Sequence, residues 1–289
     1  MPSSLLGIKL TSTKNSVMIQ SEQSINKYLH NRSYSLFLSD LNLCESRPEV
    51  YQLFMRFMNS ELAKNAEKIF ILGNLFNMWI GDDDLSNSWP AKVAHMLAML
   101  SSKEVSVNIM VGNHDFLLGQ EFCNAVGATL LSDPQCIDLY GVKTLITHGD
   151  SLCTDDIEYQ IFRNRIRQSR WKREFLSQPS MIRRAINKQL RTHHDNALKK
   201  KPEEYLDVNQ NTVFEILSET KAQRIIHGYT NKPGIHNHIF EGRVVRRWVL
   251  QNWDVSEDTS HAGTLIVSEK ECYGYNFSGK STEINEAAV

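Results

Sequence analysis

Short apolar runs followed by polar clusters recur along the chain. Five of these runs end, in chain order, at Leu38, Leu72, Val111, Thr147 and Ile226. A short apolar run bounded by polar residues is typical of a buried strand. Between the runs, apolar residues recur at helical spacing, as at Val50, Leu53, Phe54, Phe57 and Met58. This alternation predicts an α/β domain.

The polar clusters lie where the predicted strands end. They occupy residues 40–42, 73–74, 112–115, 148–150 and 227–231, and each contains Gly, Asn, Asp or His. Taken alone, any one of them reads as a turn, because these residues tolerate turn geometries. Side chains at the ends of buried strands are where α/β proteins place their chemistry. Five such clusters in order therefore predict one site built from several strand ends.

Length and composition bound the domain organisation. A chain of 289 residues, 41% of them hydrophobic, is long enough to bury a full core. We expect an N-terminal extension over 1–33, a domain over 34–275 with an inserted helical segment at about 157–206, and a polar C-terminal tail over 276–289. The 32 basic residues nearly balance the 33 acidic ones, so the global charge argues neither for a nucleic-acid partner nor for an acidic tail, and we do not expect nucleic acid as a partner.

The cysteines and the hydropathy pattern indicate in which compartment of the cell we expect the protein. The five cysteines include no C-x-x-C pair, so we expect reduced thiols in a cytoplasmic protein. No apolar run approaches the ~18 residues of a membrane span.

The order of the clusters resembles the metallophosphoesterase signature D-x-H, G-D, G-N-H-[DE], H-G and G-H-x-H. Longer runs, at 73–84, 113–119, 148–156 and 207–210, are similar to the UDP-2,3-diacylglucosamine hydrolases of lipid A synthesis, a branch of the calcineurin-like superfamily. The resemblance covers about 34–253. It implies a four-layer α/β/β/α sandwich with a helical cap. It also implies hydrolysis of a lipid-linked pyrophosphate to the lipid monophosphate and UMP, on the inner face of the inner membrane.

The resemblance further implies two Mn(II) ions, which polarise the phosphoryl group and activate a bridging water. Their ligand positions fall on Asp40, Asn42, Asn74, Asn113, His148, Tyr229 and Asn231. Four of these depart from the family: Asn42, Tyr229 and Asn231 stand for histidines, and Asn74 stands for the bridging aspartate.

The departures weaken the expected metal site. Two dications ~4 Å apart repel by several kcal/mol even in a fairly polar medium. Neutral amides do not offset that repulsion, and a phenol with a pKa of about 10 is a poor ligand. We therefore expect impaired catalysis and doubtful Mn(II) binding. The alternative to weak metal binding is that these polar side chains hydrogen-bond to one another.

His114 occupies the position that many metallophosphoesterases use near the leaving group, where it could orient a phosphate or protonate an oxygen. The alternative is a supporting histidine held by Asp115.

The inserted segment is strongly basic. Residues 157–201 carry 13 Lys or Arg against three acidic residues. Apolar residues at helical spacing predict two or three amphipathic helices, which suit an anionic membrane surface. The alternative is a set of helices that packs its apolar stripe on the main domain.

Substrate positions carried over from the family fall on this cap. Asp156 and Lys201 match substrate-contacting residues, whereas His194 and Leu198 stand where the family has Ser and Asn. Three functions stay open: a hydrolase by descent, a non-catalytic binder of a lipid, nucleotide or protein, and another phosphoesterase.

Overall fold

The computed structural model describes residues 18–20, 33–198, 201, 205, 207–255, 260–278 and 281–286. Within these ranges, side chains are described except at 18–20, 193–195, 197–198, 260, 276–278 and 281–286.

The described strands, in chain order, are β1 (Met18–Gln20), β2 (Tyr34–Leu38), β3 (Lys68–Leu72), β4 (Ser106–Met110), β5 (Thr129–Leu131), β6 (Gln135–Leu139), β7 (Val142–Thr147), β8 (Arg224–His227), β9 (Gly234–Phe240), β10 (Arg243–Val249), β11 (Asp254–Val255), β12 (Ser260–His261), β13 (Gly263–Ser268), β14 (Cys272–Ser278) and β15 (Ser281–Glu286). The described helices are α1 (Pro48–Met58), α2 (Glu61–Lys64), α3 (Ser88–Ser101), α4 (Gln120–Val126), α5 (Ile157–Ile166), α6 (Ser169–Leu176), α7 (Ser180–Leu198) and α8 (Gln210–Thr220).

Two large sheets form the centre of the molecule. The first has the order β1-β15-β14-β13-β2-β3-β4-β5, and the second has the order β6-β7-β8-β10-β9. Strands β2 to β5 are mutually parallel, and β7, β8 and β10 are parallel in the second sheet. The five strands predicted from the apolar runs are thus confirmed as β2, β3, β4, β7 and β8.

The core lies in three layers of contacts. Between the sheets, Phe37 stacks on Phe70 with ring centroids 4.6 Å apart, and Trp248 packs into the same cluster. The outer face of the first sheet is covered by α1, α3 and α4, whose buried residues include Phe54, Leu97 and Phe122. Helix α8 covers the second sheet with Val213 and Leu217. This arrangement is the predicted four-layer α/β/β/α sandwich.

The inserted segment forms three helices, α5, α6 and α7, which we call the cap. Ile166 and Phe175 are buried in the cluster beneath the first helical layer. Arg183 donates hydrogen bonds to Asp83 and to the Ile80 carbonyl, and Arg184 pairs with Asp84. The cap therefore packs on the main domain through apolar and ionic contacts together.

The C-terminal residues differ from the expected polar tail over 276–289. Ser281–Glu286 pairs antiparallel with β14, and β1, which falls within the expected extension over 1–33, pairs with the other side of β15. The hydrogen bonds of a strand are satisfied by its neighbours whatever its side chains are. A polar sequence therefore gives no warning of these strands.

A buried arginine lies between two imidazoles behind the second sheet. Arg247 Nε donates to His238 Nε2 at 3.1 Å, and Arg247 Nη1 lies 3.0 Å from His227 Nε2. Burial, reinforced by the charge of Arg247, lowers the pKa of His227 to about 3 and that of His238 to about 4. The folded chain therefore holds both rings neutral near pH 7.

The free energy of unfolding should accordingly fall as the pH drops from about 6.5 towards 3, because the unfolded chain binds protons that the folded chain excludes. Both folded pKa values lie below the ordinary value, so the contribution is complete above pH 6.5 and is lost on the acid side. His238→Gln should flatten this dependence in urea unfolding. His95→Gln, an exposed change on α3, should leave it unaltered; equal slopes in the two variants would contradict the assignment.

Candidate active site

The ends of β2, β3, β4, β7 and β8 meet at one edge of the sandwich, where they bring together the predicted ligand positions. Five of those positions have left-handed backbone: Asp40 (φ 54), Asn42 (φ 48), Asn74 (φ 56), Tyr229 (φ 67) and Asn231 (φ 52). The loops also approach each other closely. A Cβ on Gly73 would collide with the His148 ring, so only glycine fits there.

Asn74 is the centre of the hydrogen-bond network. Its Nδ2 donates to Asp40 Oδ1 and to Asn113 Oδ1, both at 2.9 Å. Its Oδ1 accepts the backbone N–H of His114 at 2.9 Å. Because that N–H can only donate, it determines which atom of the amide faces it. The NH₂ group therefore points into the site, where the family places an oxygen of the bridging carboxylate.

Asp40 is buried, and both of its carboxylate oxygens have partners. Oδ2 accepts from Ser39 Oγ and from the backbone N–H of Tyr229, each at 2.8 Å, while Oδ1 accepts from Asn74. Three hydrogen bonds from protein groups thus hold the Asp40 side chain in place.

His148 is buried, and each of its ring nitrogens lies close to an oxygen of the protein. Nδ1 lies 2.9 Å from the Leu72 carbonyl oxygen, and Nε2 lies 3.1 Å from Asn113 Oδ1. Asp40 and His148, the two strongest of the predicted ligands, thus both contact protein groups.

His114 contacts Asn42 rather than Asp115. Its Nδ1 lies 2.7 Å from Asn42 Oδ1. Asp115 instead accepts the backbone N–H groups of Gly112, Asn74 and Phe76. Burial raises the pKa of Asp115. Asp115 is therefore a support for the loop backbone.

Tyr229 joins the site to the cap. Its ring stacks on Tyr159 of α5, with centroids 5.9 Å apart, and meets the His148 ring edge-on at 5.5 Å. Burial raises the pKa of the Tyr229 phenol well above its ordinary value, so the phenolate that a metal would require is disfavoured. Asn231, in contrast, is exposed.

The donor set does not fit a pair of divalent ions. Such a site needs anionic oxygen and imidazole ligands, with a carboxylate between the metals. Here Asp40 is the one carboxylate among the seven predicted ligand positions, and the predicted bridging position presents an NH₂ group. Among the described residues, no group of three or more His, Cys, Asp and Glu side chains could hold a metal ion.

Two buried carboxylates fasten the cap above the site. Asp150 Oδ2 accepts from Tyr159 Oη at 2.6 Å and from Arg163 Nε at 2.8 Å, and Arg167 lies 3.4 Å away. Asp133 pairs with the same two arginines at 3.0 and 3.5 Å. Burial acts to raise the pKa of Asp150, but Arg167, His148 and Arg163 outweigh it and hold that pKa well below its usual range. Asp150 is therefore ionised near pH 7.

A small cavity lies between the cap and the strand ends. Its lining combines polar groups from Asn113, His114, Asn187 and Arg191 with the ring of Phe162. The space open to water-sized groups is about 30 Å³, enough for one or two waters. This volume is too small for a sugar nucleotide.

The predicted substrate positions are partly described. Asp156 caps α5 by accepting the Tyr159 N–H at 3.1 Å, and it pairs with Lys201 Nζ at 2.5 Å. The two residues thus bind each other. His194 and Leu198 lie on α7, and their side chains are outside the described part of the chain.

The residues that fasten the cap were not predicted from the sequence. Asp150 lies within residues 148–156, one of the runs that resemble the hydrolase family, so the sequence did point to this residue. Asp133, Arg163 and Arg167 carry no motif, and only the fold brings them together.

Comparisons with known proteins agree with the resemblance. No family model matches the chain. A UDP-2,3-diacylglucosamine hydrolase from Cellvibrio japonicus is 39% identical over 219 residues, which is 76% of this chain and 90% of that protein. The hydrolase from Marinobacter nauticus is 40% identical, covering 76% and 89%. That of Neisseria meningitidis serogroup A is 41% identical, covering 72% and 87%.

Solved structures give a looser likeness. Vacuolar protein sorting 29 from Cryptosporidium parvum matches with a TM-score of 0.46 and 10% identity, over 88% of this chain and 96% of that one. A novel archaeal phosphodiesterase matches with a TM-score of 0.42 and 10% identity, over 84% and 99%. The sequence relatives are much nearer, and on their identity and coverage the chain belongs to the UDP-2,3-diacylglucosamine hydrolase family.

Proposed function

We propose that this chain binds a lipid-linked nucleotide, or a close analogue, beneath its cap and does not hydrolyse it by the two-metal route. The observation that carries the proposal is the amide of Asn74, whose NH₂ group donates to Asp40 and Asn113 where the family has a bridging carboxylate. Mn(II), which the family resemblance implies, loses its bridging ligand there. Hydrogen bonds from Asn74 to Asp40 and Asn113 stand in its place.

The capacity to bind rests on the cap and its cavity. The amides of Asn113 and Asn187, the imidazole of His114 and the guanidinium of Arg191 can hold sugar and phosphate oxygens, while Phe162 offers an apolar wall. Arg191 also donates to the Asn77 carbonyl, which ties α7 to the loop after β3. These contacts support a role for the cap as the ligand-holding part of the molecule.

The test separates binding, metal loading and hydrolysis on one protein. The purified chain is titrated with Mn(II), its melting temperature is measured with UDP-2,3-diacylglucosamine in EDTA, and UMP release is measured with Mn(II) present. We expect a ligand-induced rise in melting temperature, no two-equivalent Mn(II) binding and no UMP. The reversion Asn42→His, Asn74→Asp, Tyr229→His and Asn231→His is the matched control and should recover Mn(II) binding.

Each result bears on one half of the proposal. UMP release by the natural chain, with two equivalents of Mn(II) bound, would show that the chain is a hydrolase and would contradict the proposal. No shift in melting temperature with ligand would remove the binding half. A shift that Lys201→Ala abolishes would locate the ligand at the cap, because Lys201 matches a substrate position.

The second part of the proposal concerns the surface at which the protein binds its ligand. We infer that the cap contacts an anionic bilayer, on the inner face of the inner membrane. Ile157, Ile161 and Met181 are exposed by 68%, 66% and 78%, and the cationic residues Arg165, Arg173 and Lys188 are exposed as well. No helix among the described residues is long and apolar enough to cross a membrane.

Many basic residues of the cap pair with carboxylates of the protein itself. Membrane contact must therefore depend on the cap residues that are exposed, and these can be tested by substitution. Arg163, Arg167, Arg183, Arg184 and Lys201 all pair with carboxylates. Co-sedimentation with vesicles containing phosphatidylglycerol should therefore depend on the exposed residues. Met181→Asp should reduce it several-fold, because it removes an apolar side chain and adds a negative charge. Met99→Asp on α3, also exposed, should not; equal losses would argue against a cap-specific contact.

A further inference from the structure

Strand β9 ends the second sheet with an open, apolar edge. Among the described residues it pairs with β10 alone. Val244 lies opposite Ile239, and their exposed fractions are 60% and 78%. Both lie on the same face as Trp248, which is buried between the sheets. The apolar inner face of the second sheet thus continues past the part that the first sheet covers.

The edge lacks the usual protection against strand addition. Natural edge strands are blunted by lysine, proline, bulges or extreme shortness. Strand β9 has seven residues, GIHNHIF, without lysine or proline among them, and Lys232 and Pro233 lie just before its first residue. It is paired residue by residue with β10 along its whole length. The main-chain groups on its other side can therefore accept a further strand.

Two arginines lie on the same face as the exposed apolar pair. Arg246 is two residues from Val244, so its side chain shares that face, and it lies beside Arg224 in the β8–β10 register. Neither arginine forms an ion pair within the described part of the chain, and Arg224 Nη1 is buried there without a hydrogen-bond partner. Two guanidinium groups on adjacent strands repel each other, so an anion placed near them is attracted.

The charge distinguishes between possible occupants of the edge. Two copies of β9 could pair antiparallel about a twofold axis perpendicular to the sheet. That axis would leave both arginine pairs on one face of the joined sheet, so the copies would add like charges. An acidic strand has the opposite effect. Its glutamates would lie about 10 Å from Arg246, two strand spacings away, which the two long side chains can span over Asn237.

We propose that β9 is a docking edge for an extended segment of another protein, in which aliphatic and acidic residues alternate along one face. The segment adds as a strand to β9, its aliphatic side chains cover Ile239 and Val244, and its carboxylates face Arg246. This surface lies on the edge strand of the second sheet and is independent of the ligand held beneath the cap.

The probe is a fluorescent seven-residue peptide, Thr-Ile-Thr-Glu-Thr-Ile-Thr, measured by anisotropy against the full chain. The same peptide with Lys in place of Glu is its control. We expect the Glu peptide to bind and Arg246→Glu to weaken it about tenfold while strengthening the Lys peptide. Lys92→Glu, an exposed change of the same charge on α3, should have no effect. Amide hydrogen exchange in β9 should slow when the Glu peptide binds.

Several results would overturn the proposal. These are no binding of the Glu peptide, equal binding of both peptides, and unchanged binding in Ile239→Asp, whose side chain is too exposed for the change to unfold the sheet. Sedimentation provides the last check. Self-association that Ile239→Asp abolishes would make β9 an interface between copies of this chain, and the acidic partner would be rejected.

Discussion

Replacement of Asp150 by asparagine should lower the free energy of unfolding by about 3–5 kcal/mol, the range found when one partner of a buried ion pair is removed. Asparagine keeps the size of the side chain but removes the charge that Arg163 and Arg167 share. Those two arginines would keep Asp133 alone. The phenol of Tyr159 would also lose its carboxylate acceptor at 2.6 Å.

Urea unfolding near pH 7 measures this loss, and hydrogen exchange in α5 measures whether the cap opens first. The matched control is Glu174→Gln, which breaks the Arg170–Glu174 pair on the exposed side of α6. Exposed pairs contribute little, so the control should show no measurable change. Similar small effects in the two variants would mean that Asp150 does not hold the cap.

The second large effect is expected from Asn74→Asp alone. The new carboxylate would face Asp40 Oδ1 across the 2.9 Å that the amide now bridges, and it would lose both donated hydrogen bonds. Loss of these bonds and repulsion between two buried carboxylates should cost about 2–4 kcal/mol at pH 7. The cost should shrink in mildly acidic solution, because one proton shared by the two carboxyl groups removes the repulsion.

The control for this change is Asn87→Asp. Asn87 Nδ2 also donates to a carboxylate, Asp84 Oδ1, but Asn87 is exposed. Its replacement should therefore destabilise the chain far less. If Asn74→Asp were as mild as Asn87→Asp without metal, the site would already tolerate a second negative charge. The argument against a bridged metal pair would then lose its basis.

The sequence predicted what depends on local patterns. The apolar runs marked β2, β3, β4, β7 and β8, and the clusters behind them meet at one edge because parallel strands end there together. The four substituted positions were also predicted from the sequence, because the order of the motifs assigns each of them to a ligand position of the family. Whether those substitutions abolish catalysis stays a prediction.

Other features depend on contacts between distant residues, which no local pattern shows. The direction of the Asn74 amide is determined by a backbone N–H 40 residues away. The basic excess of the cap suggested a membrane surface, yet Arg183 and Arg184 pair with Asp83 and Asp84, 100 residues earlier. A charge count cannot distinguish a cation that faces solvent from one that fastens a helix.

The left-handed backbone at the five ligand positions suggests which replacements a relative of this chain can accept. Asn, Asp and His are several-fold enriched in that conformation among non-glycine residues. A histidine or aspartate released from metal binding can therefore become asparagine with little disturbance of the loop, as at Asn42, Asn74 and Asn231. Tyrosine is less favourable than these residues in left-handed backbone, and the stacking of Tyr229 on Tyr159 offsets that cost. In a mutational scan, tolerance at these sites should follow backbone preference more closely than metal-ligand chemistry.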